Sequence, residues 1–361
     1  MMVPHTLTAP VPDRRAFARD ARAGFALARA GAGQGPEASF RVADRVLRLR
    51  FAGPALVASL REGLALPRVA AGTPIDLDVG IWDEETTGAR PPACPFGAGD
   101  FMVRGDVRHP WGNGVHLSYA VASSTLEYAD LAERVGAFWI RRPEALEPWR
   151  RAAPLRGLLA ALAASSGACL AHAAAVGRAG EGLLLAGPGG SGKSTTALAA
   201  AARGWSFCGD DFVLIDAAAR PPRVGALYAT AKLSRAGTRA AGLAMDQFPT
   251  LVPPADASAD KTVFQVGTTA GLRLRAIVLP SAAGGRGRAR LRRASRAEAV
   301  RALLPSSLLL LPGATPAART RLAALAAGLP SFALELGRDP EENVGALAQA
   351  LDDAGPPRAD G

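Results

Sequence analysis

The sequence predicts an α/β protein built from two domains. Its 361 residues exceed the length of an average single domain, and 49% of them are hydrophobic, which is enough for packed cores. Along the chain, short β-like runs also alternate with helical segments. We place the boundary near residue 150, with a smaller α/β accessory domain for substrate recognition over residues 1–150 and a second domain over residues 151–355.

The first domain is expected to begin irregularly. Residues 38–53 then predict two strands that turn at Ala43 and Asp44, because leucine and phenylalanine alternate with arginine in the second of them. A short helix is expected in PALVASLREGLALP and a strand over residues 75–83. Further short strands are expected in FMVRG, VHLSYAVAS and TLEYADL.

The second domain is expected to open with a helix over residues 154–164. Two β-like runs, ACLAHAAAVG and EGLLLAG, follow and are joined by a turn at Arg178–Gly180. GPGGSGKS comes next, then the helix STTALAAAARG and a strand, WSFCGDDFVLID, with Asp210 and Asp211 in its middle. The remaining strands and helices complete an α/β arrangement without an internal repeat.

The formal charge of +10 reflects arginine rather than a specific nucleic-acid surface. Of the 42 basic residues only Lys193, Lys232 and Lys261 are lysine, and the other 39 are arginine. In such a chain a lysine indicates a position that needs a compact ammonium group. The arginine-rich tract over residues 286–296 is expected to be a solvated edge strand, with an acidic peptide or a nucleic-acid backbone as the alternative ligand.

The sequence favours a cytoplasmic protein. Cys94, Cys169 and Cys208 are too widely spaced for a disulfide framework, which fits a reducing compartment. The first residues lack the apolar segment of a secretory signal. No membrane span is expected, because the most apolar tract is rich in alanine and is broken by SSG and His172. The sequence leaves a homo-oligomer open.

GPGGSGKS matches the phosphate-loop pattern G-x-x-x-x-G-K-[ST] between a β-like run and a helix. In such a loop the backbone N–H groups and the helix N-terminus face phosphate oxygens. The pattern assigns Lys193 to the β- and γ-phosphates of ATP and Ser194 to Mg²⁺. Lys232 and Lys261 either are solvated or add a second cation near the γ-phosphate. The candidate nucleotide-binding residues are Gly187, Gly190, Ser191, Gly192, Lys193, Ser194, Thr195, Lys232 and Lys261.

The double aspartate offers the two carboxylates that phosphoryl transfer uses, one to hold Mg²⁺ and one to position or deprotonate a hydroxyl. On a regular strand Asp210 and Asp211 would point to opposite faces, so they converge only at a carboxyl strand end, where Gly209 permits an irregular backbone. An exposed acidic turn is the alternative. His172 lies at the matching level of the preceding hairpin, either as a packed core histidine or as a catalytic one.

Residues 172–216 resemble the catalytic core of the HPr kinase/phosphorylase family, in which a histidine, a phosphate loop and a double aspartate follow at similar spacings. The resemblance implies a P-loop kinase core with an HPr kinase/PEP carboxykinase-like mixed sheet, and phosphorylation of a protein serine with Mg²⁺ATP. Carried over residue by residue, the matching positions are His172, Lys193, Ser194, Asp210 and Asp211. On this basis His172 and Lys193 are catalytic, Asp210 is the base, and Ser194 and Asp211 hold the metal.

The rest of the second domain resembles the shorter HPr-kinase-like proteins that accompany bacterial peptide-modification genes, so the expected partner is a peptide or protein with an acceptor serine. No counterpart of the glycine-rich stretch that follows the active site of the bifunctional enzymes is found, and phosphorolysis is therefore not expected. Three other functions remain open: a small-molecule kinase, a P-loop ATPase or nucleotide-gated module, and a DNA-binding module suggested by the charge.

Overall fold

The computed structural model of the protein describes residues 13–101, 105, 107, 114–120, 123–244, 246–253, 261–282, 287–311 and 316–355. Its sheets contain both parallel and antiparallel strand pairs, so the structure confirms the mixed α/β class. The chain divides into two compact units. The first contains Met1–Arg61, Arg68–Arg150 and Leu155–Ser165. The second contains Glu62–Pro67, Arg151–Pro154 and Ser166–Gly361.

The first unit is a six-stranded sheet with helices packed on it. The helices of the chain as far as Ser165 are α1 (Arg14–Ala32), α2 (Val57–Arg61), α3 (Glu84–Thr87), α4 (Pro148–Ala152) and α5 (Arg156–Ser165). The strands are β1 (Gln34–Val42), β2 (Arg45–Ala52), β3 (Leu77–Asp83), β4 (Val115–Ala120), β5 (Thr125–Asp130) and β6 (Val135–Ile140). They lie in the order β1-β2-β3-β6-β5-β4, and the pairs β2–β3 and β3–β6 are parallel.

Helix α1 corrects the expectation of an irregular start. Its N-cap is Asp13, whose side chain accepts a hydrogen bond from the backbone N–H of Arg15. Phe17, Ala21 and Phe25 recur every four residues on its buried face, which packs against the sheet. The cap and this spacing were the local signals of the helix. The predicted strand FMVRG lies largely outside the described residues.

Helix α5 also departs from the sequence interpretation, which assigned it to the second domain. It belongs to the first unit, where it contacts β4 and β5. Its buried residues include Leu158, Leu159 and Leu162, and the backbone N–H of Leu158 donates to Glu127 Oε1 at 2.8 Å. Burial of this apolar face, rather than chain order, decides which unit holds the helix.

The second unit is built around a nine-stranded mixed sheet and a separate three-stranded sheet. Its helices are α6 (Lys193–Ala201), α7 (Arg235–Ala240), α8 (Arg296–Leu310), α9 (Pro316–Gly328) and α10 (Pro340–Asp353). Strands of the large sheet are β7 (Cys169–Ala171), β8 (Ala174–Arg178), β9 (Glu181–Leu185), β10 (Ser206–Gly209), β11 (Val213–Asp216), β12 (Arg223–Gly225), β16 (Gly271–Ser281), β17 (Arg290–Arg293) and β18 (Ser331–Glu335). Those of the small sheet are β13 (Thr230–Ser234), β14 (Thr250–Val252) and β15 (Lys261–Gln265).

The central strands of the large sheet are buried on both faces. Along β8, Val176 packs into one hydrophobic core and Ala175 into another, and along β9 Leu183 and Leu184 divide in the same way. Residues of α6 and α10 contribute to the first core, and residues of α8 and α9 to the second. The sheet is therefore a middle layer between two helical layers.

Strand direction brings three segments to one edge of this sheet. Strand β8 is antiparallel to both β9 and β10, so β9 and β10 end at the edge where β8 begins. His172 precedes β8, Gly187 follows β9, and Asp210 follows β10. The topology thus gathers residues that are up to 38 positions apart in the chain.

The segment WSFCGDDFVLID is two strands rather than the single strand expected. Strand β10 ends at Gly209, which has φ 151°, and Asp211 has φ 63° in the left-handed region. The chain re-enters the sheet at Val213, where β11 pairs with β12 and β7. The break removes both aspartates from the alternation of a regular strand.

The arginine-rich tract forms β17, which pairs antiparallel with β18. Arg292 forms an ion pair with Glu298 at 2.8 Å, and Arg288, just before the strand, forms one with Glu342 at 3.0 Å. These side chains therefore have intramolecular partners.

Among the helices of the described residues, none combines the length and the apolar character that crossing a bilayer requires.

Candidate functional site

The glycine-rich loop, Gly187–Ser194, leaves the end of β9 and leads into α6. Gly192 has φ 102°, and a Cβ at this position would lie 2.4 Å from Leu336 Cδ1. The backbone conformation therefore favours glycine here, and a larger residue would also displace the end of the Leu336 side chain. The loop presents the first backbone N–H groups of α6 and its positive dipole end.

Lys193 begins α6, and only 6% of its surface is exposed. Its Nζ donates hydrogen bonds to the carbonyl oxygens of Gly187 at 2.8 Å and Pro188 at 3.0 Å. Burial lowers the pKa of this ammonium group, although the nearby Asp210 and Asp211 act in the opposite direction. The loop thus holds a cation against its own backbone.

Asp210 is almost fully buried, with 2% of its surface exposed. Ser194 Oγ donates a hydrogen bond to Asp210 Oδ1 at 2.9 Å, and the backbone N–H of Lys232 donates to Oδ2 at 3.3 Å. Burial, followed by the negative charge of Asp211, raises the pKa of Asp210 to about 6 despite these hydrogen bonds. The environment of this carboxyl therefore disfavours its charged form, because its hydrogen-bond donors are a hydroxyl and a backbone N–H rather than a cationic group.

The environment of Asp211, unlike that of Asp210, favours the charged form of the carboxyl. Its Oδ2 forms an ion pair with Lys232 Nζ, and its Oδ1 lies 3.9 Å from His172 Nε2. Burial acts to raise the pKa of Asp211, but Lys232, His172 and Lys261 outweigh it and hold the pKa below its usual value. Two adjacent carboxyls whose pKa values are pushed apart are typical of sites with divided acid–base roles.

A cavity of about 550 Å³ adjoins these groups. It is lined by the glycine-rich loop, by α6, by the strands β13 and β15, and by the segment between β18 and α10. Its cationic lining residues are Lys193, Lys232, Lys261 and Arg338, and no acidic side chain of the described residues lines it. The cavity is therefore complementary to an anion with several charges.

Most of the nucleotide-binding residues predicted from the sequence line this cavity. Those that do so are Gly190, Gly192, Lys193, Ser194, Thr195, Lys232 and Lys261. The predicted residues outside the lining are Gly187, Ser191, His172, Asp210 and Asp211. The two carboxylates nevertheless adjoin the cavity, because Asp210 contacts Ser194 and Asp211 contacts Lys232.

The two β-strand lysines project from one face of the small sheet. Ser234 pairs directly with Lys261 across β13 and β15, so their side chains lie on the same side. Lys232 precedes Ser234 by two residues and shares that side. All three residues line the cavity.

Sequence reasoning missed several lining residues, among them Thr196, Arg338 and Asn343. Thr196 immediately follows the predicted set, and its buried Oγ1 has no hydrogen-bond partner among the described residues. Asn343 binds both backbone groups of Gly337, accepting from its N–H at 2.8 Å and donating to its carbonyl at 3.1 Å. Position in the chain could have indicated Thr196, whereas nothing in the sequence indicated that Arg338 and Asn343 approach the loop.

The donor set of the site suits a hard cation held together with an anion. Within the part of the chain that the structure describes, no three His, Cys, Asp or Glu side chains cluster as metal ligands. Mg²⁺ is commonly held by only one or two carboxylates, with phosphate oxygens and water completing its shell. In comparisons with known proteins, no family model matches this chain, and no curated protein significantly matches its sequence.

Proposed function

We propose that this protein is an ATP-dependent kinase that transfers the γ-phosphoryl group to a hydroxyl of a peptide or protein, with serine as the acceptor. The observation that carries the proposal is the hydrogen bond from Ser194 to Asp210, which joins the glycine-rich loop to a buried carboxylate beside a cationic cavity. Positioning and charge stabilisation account for most catalysis of phosphoryl transfer, and this site offers both.

The charge of the cavity supports a nucleoside triphosphate as the ligand. Its four cationic side chains exceed the charge of the two adjoining carboxylates. The N-terminus of α6 and Thr196 Oγ1 add neutral donors that phosphate oxygens can use. The proposed ligand is ATP, with its phosphates over the glycine-rich loop.

The residues present also fit Mg²⁺. Ser194 Oγ and Asp210 Oδ1 are ligand-type oxygens held 2.9 Å apart, and the pKa of Asp210 is raised because burial and Asp211 disfavour its charge. A divalent cation would relieve that situation, so we propose that Ser194 and Asp210 would hold it. When bound, Mg²⁺ neutralises charge that develops on the phosphate oxygens.

This proposal exchanges the roles that the sequence interpretation gave to the two aspartates. Asp211 is more exposed than Asp210, with 23% of its side chain accessible, and its low pKa keeps it ionised at neutral pH. We therefore assign Asp211 to the base and His172 to positioning its carboxylate. Geometry takes precedence over the higher pKa of Asp210, because a base must reach the acceptor hydroxyl.

In the proposed reaction the acceptor hydroxyl oxygen forms a bond to the γ-phosphorus. The bond from the γ-phosphorus to the oxygen that bridges to the β-phosphate breaks, and ADP leaves with that electron pair. The hydroxyl proton passes to Asp211. Lys193, drawn from the loop carbonyls toward the phosphates, stabilises the charge on the transferred group.

The resemblance of residues 172–216 to HPr kinase supports the same class of core. The chain order of hairpin, glycine-rich loop, helix and double aspartate is the order expected from that resemblance. An HPr kinase/PEP carboxykinase-like core, a protein or peptide acceptor and a cytoplasmic location supplied with ATP all form part of the proposal.

The proposal is tested by intact-mass spectrometry of the proteins and peptides encoded beside this gene after incubation with Mg²⁺ATP. The wild-type protein is compared with Lys193→Met and Asp211→Asn. Asp216→Asn is the matched control, because Asp216 is an exposed residue at the end of β11. The expected result is a phosphate-sized mass increase, mapped to serine, with the wild type and the control only.

Other outcomes separate the alternatives. Steady ADP release without an acceptor, unaffected by Asp211→Asn, would favour an ATPase or nucleotide-gated module. Phosphate transfer to metabolites in place of any peptide would favour a small-molecule kinase. A folded wild-type protein that binds no nucleotide would contradict the proposed function.

A further inference from the structure

Lys232 has two possible partners in the site, Asp211 and a bound anion. It forms an ion pair with Asp211 while lining the cationic cavity. We propose, on the basis of the proposed function, that Lys232 is a latch: it holds Asp211 in the unliganded protein and moves to the terminal phosphate when ATP binds. Lys232 would thereby distinguish ATP from ADP and release the base only when the γ-phosphate is present.

The backbone of Lys232 is fixed, whereas its side chain can move. The backbone N–H of Lys232 donates to Asp210 Oδ2. Lys232 lies within β13, and the next residue of that strand, Leu233, is buried. The ammonium group is carried on a flexible four-carbon stem. With 22% of its side chain exposed, Lys232 can turn between Asp211 and the cavity without any rearrangement of the strand.

Asp211 keeps two other basic neighbours when Lys232 leaves. His172 Nε2 lies 3.9 Å from its Oδ1, and Lys261 also favours its charged form. A polyphosphate carries several negative oxygens, so it competes effectively with one carboxylate for the ammonium group.

The latch predicts that replacing Asp211, a residue of the site, strengthens ATP binding instead of weakening it. Asp211→Asn removes the partner that competes for Lys232, so ATP should bind about tenfold more tightly, an effect of the size of a favourable ion pair. Asparagine tolerates the left-handed backbone of this position, where φ is 63°, so the variant is expected to fold. ADP should gain much less, because it lacks the phosphate that Lys232 contacts.

The experiment is a double-mutant cycle on ATP and ADP affinity, measured by calorimetry in EDTA so that metal binding does not contribute. The proteins are the wild type, Asp211→Asn, Lys232→Met and the double variant. Lys261→Met is the control for general charge, because Lys261 lines the cavity without an ion pair to Asp211 among the described contacts. Thermal melts establish that each variant is folded.

The expected result is that Asp211→Asn tightens ATP binding in the wild-type background and has no effect in the Lys232→Met background. Lys232→Met should also lose the preference for ATP over ADP, whereas Lys261→Met should weaken the binding of both nucleotides to the same extent. An equal gain in both backgrounds would show simple removal of a negative charge and would overturn the latch alone. Failure of the folded wild type to bind ATP both in EDTA and in the presence of Mg²⁺ would overturn the proposed function and the latch with it.

Discussion

Ser194 Oγ donates a hydrogen bond to Asp210 Oδ1 at 2.9 Å and so ties the first turn of α6 to the turn between β10 and β11. The two residues are 16 positions apart: Ser194 lies in α6, which follows β9 and the glycine-rich loop, and Asp210 directly follows β10, which runs in the same direction as β9. The contact buries the Asp210 carboxyl beside the glycine-rich loop, and this burial raises its pKa despite the hydrogen bonds that it accepts. The stability of this turn and the binding of a ligand therefore depend on the same group.

Replacing Asp210 with asparagine should stabilise the protein at neutral pH. Folding raises the pKa of Asp210 from its ordinary value of 3.8 to about 6, mainly through burial. Above pH 6 the folded state must keep the charge buried, so Asp210→Asn should raise the free energy of unfolding by about 1–2 kcal/mol at pH 7.5. Chemical denaturation measures this difference.

The gain should depend on pH in a defined direction. Protonation favours the folded state for this group, so the advantage of Asp210→Asn should shrink as the pH falls from about 6 toward 4. Asp216→Asn, at an exposed position, is the control. A variant less stable than the wild type at every pH would contradict this account of the Asp210 environment.

The two glycines of the loop should respond differently to alanine. Gly192→Ala puts a side chain at φ 102°, a strained conformation for alanine, and displaces the end of the Leu336 side chain, so we expect a loss of about 1–3 kcal/mol and loss of nucleotide binding. Gly189→Ala is the matched control, because a Cβ there meets no atom within 4 Å, and it should change stability by less than about 0.5 kcal/mol. Thermal melts and ATP titration of both variants decide the matter, and equal behaviour would contradict the prediction.

Thr196→Val tests whether the unpartnered hydroxyl at the cavity serves a ligand. Valine has nearly the same shape and removes a buried group that lacks a partner among the described residues, so the unliganded protein should gain about 1 kcal/mol of stability. ATP should bind more weakly because a donor to phosphate is lost. Thr196→Ser keeps the hydroxyl and should bind ATP as the wild type does. Unchanged ATP affinity in the valine variant would show that the hydroxyl makes no contact with the nucleotide.

Fragments of the chain can test the assignment of α5. A fragment of residues 1–165 includes α5, whereas a fragment of residues 1–150 lacks it and exposes the surface of β4 and β5 that the helix covers. The longer fragment should therefore melt at a temperature several degrees higher by circular dichroism. Leu158→Asp in the longer fragment should remove that difference, because Leu158 is fully buried. Identical melting of the two unmodified fragments would place α5 outside the first unit.

Local patterns predicted much of the fold. The turn at Ala43, the hairpin of β8 and β9 and the helix after the glycine-rich loop lie where the sequence placed them, because each depends on residues adjacent in the chain. The prediction of one strand through Asp210 and Asp211 was wrong. Whether the strand breaks there depends on which neighbours each half pairs with, and β10 and β11 pair with different strands.

The sequence alone determined the glycine-rich loop, its lysine and the double aspartate, since these motifs are contiguous and their chemistry is carried by residue type. Tertiary structure decided what surrounds them. It pairs Lys232 with Asp211, gives Asp210 a hydrogen bond from Ser194, and brings Arg338 to the lining of the cavity. Burial and charge at each carboxyl come from residues on other strands, so the opposite pKa shifts of two adjacent aspartates cannot be inferred from their order in the chain.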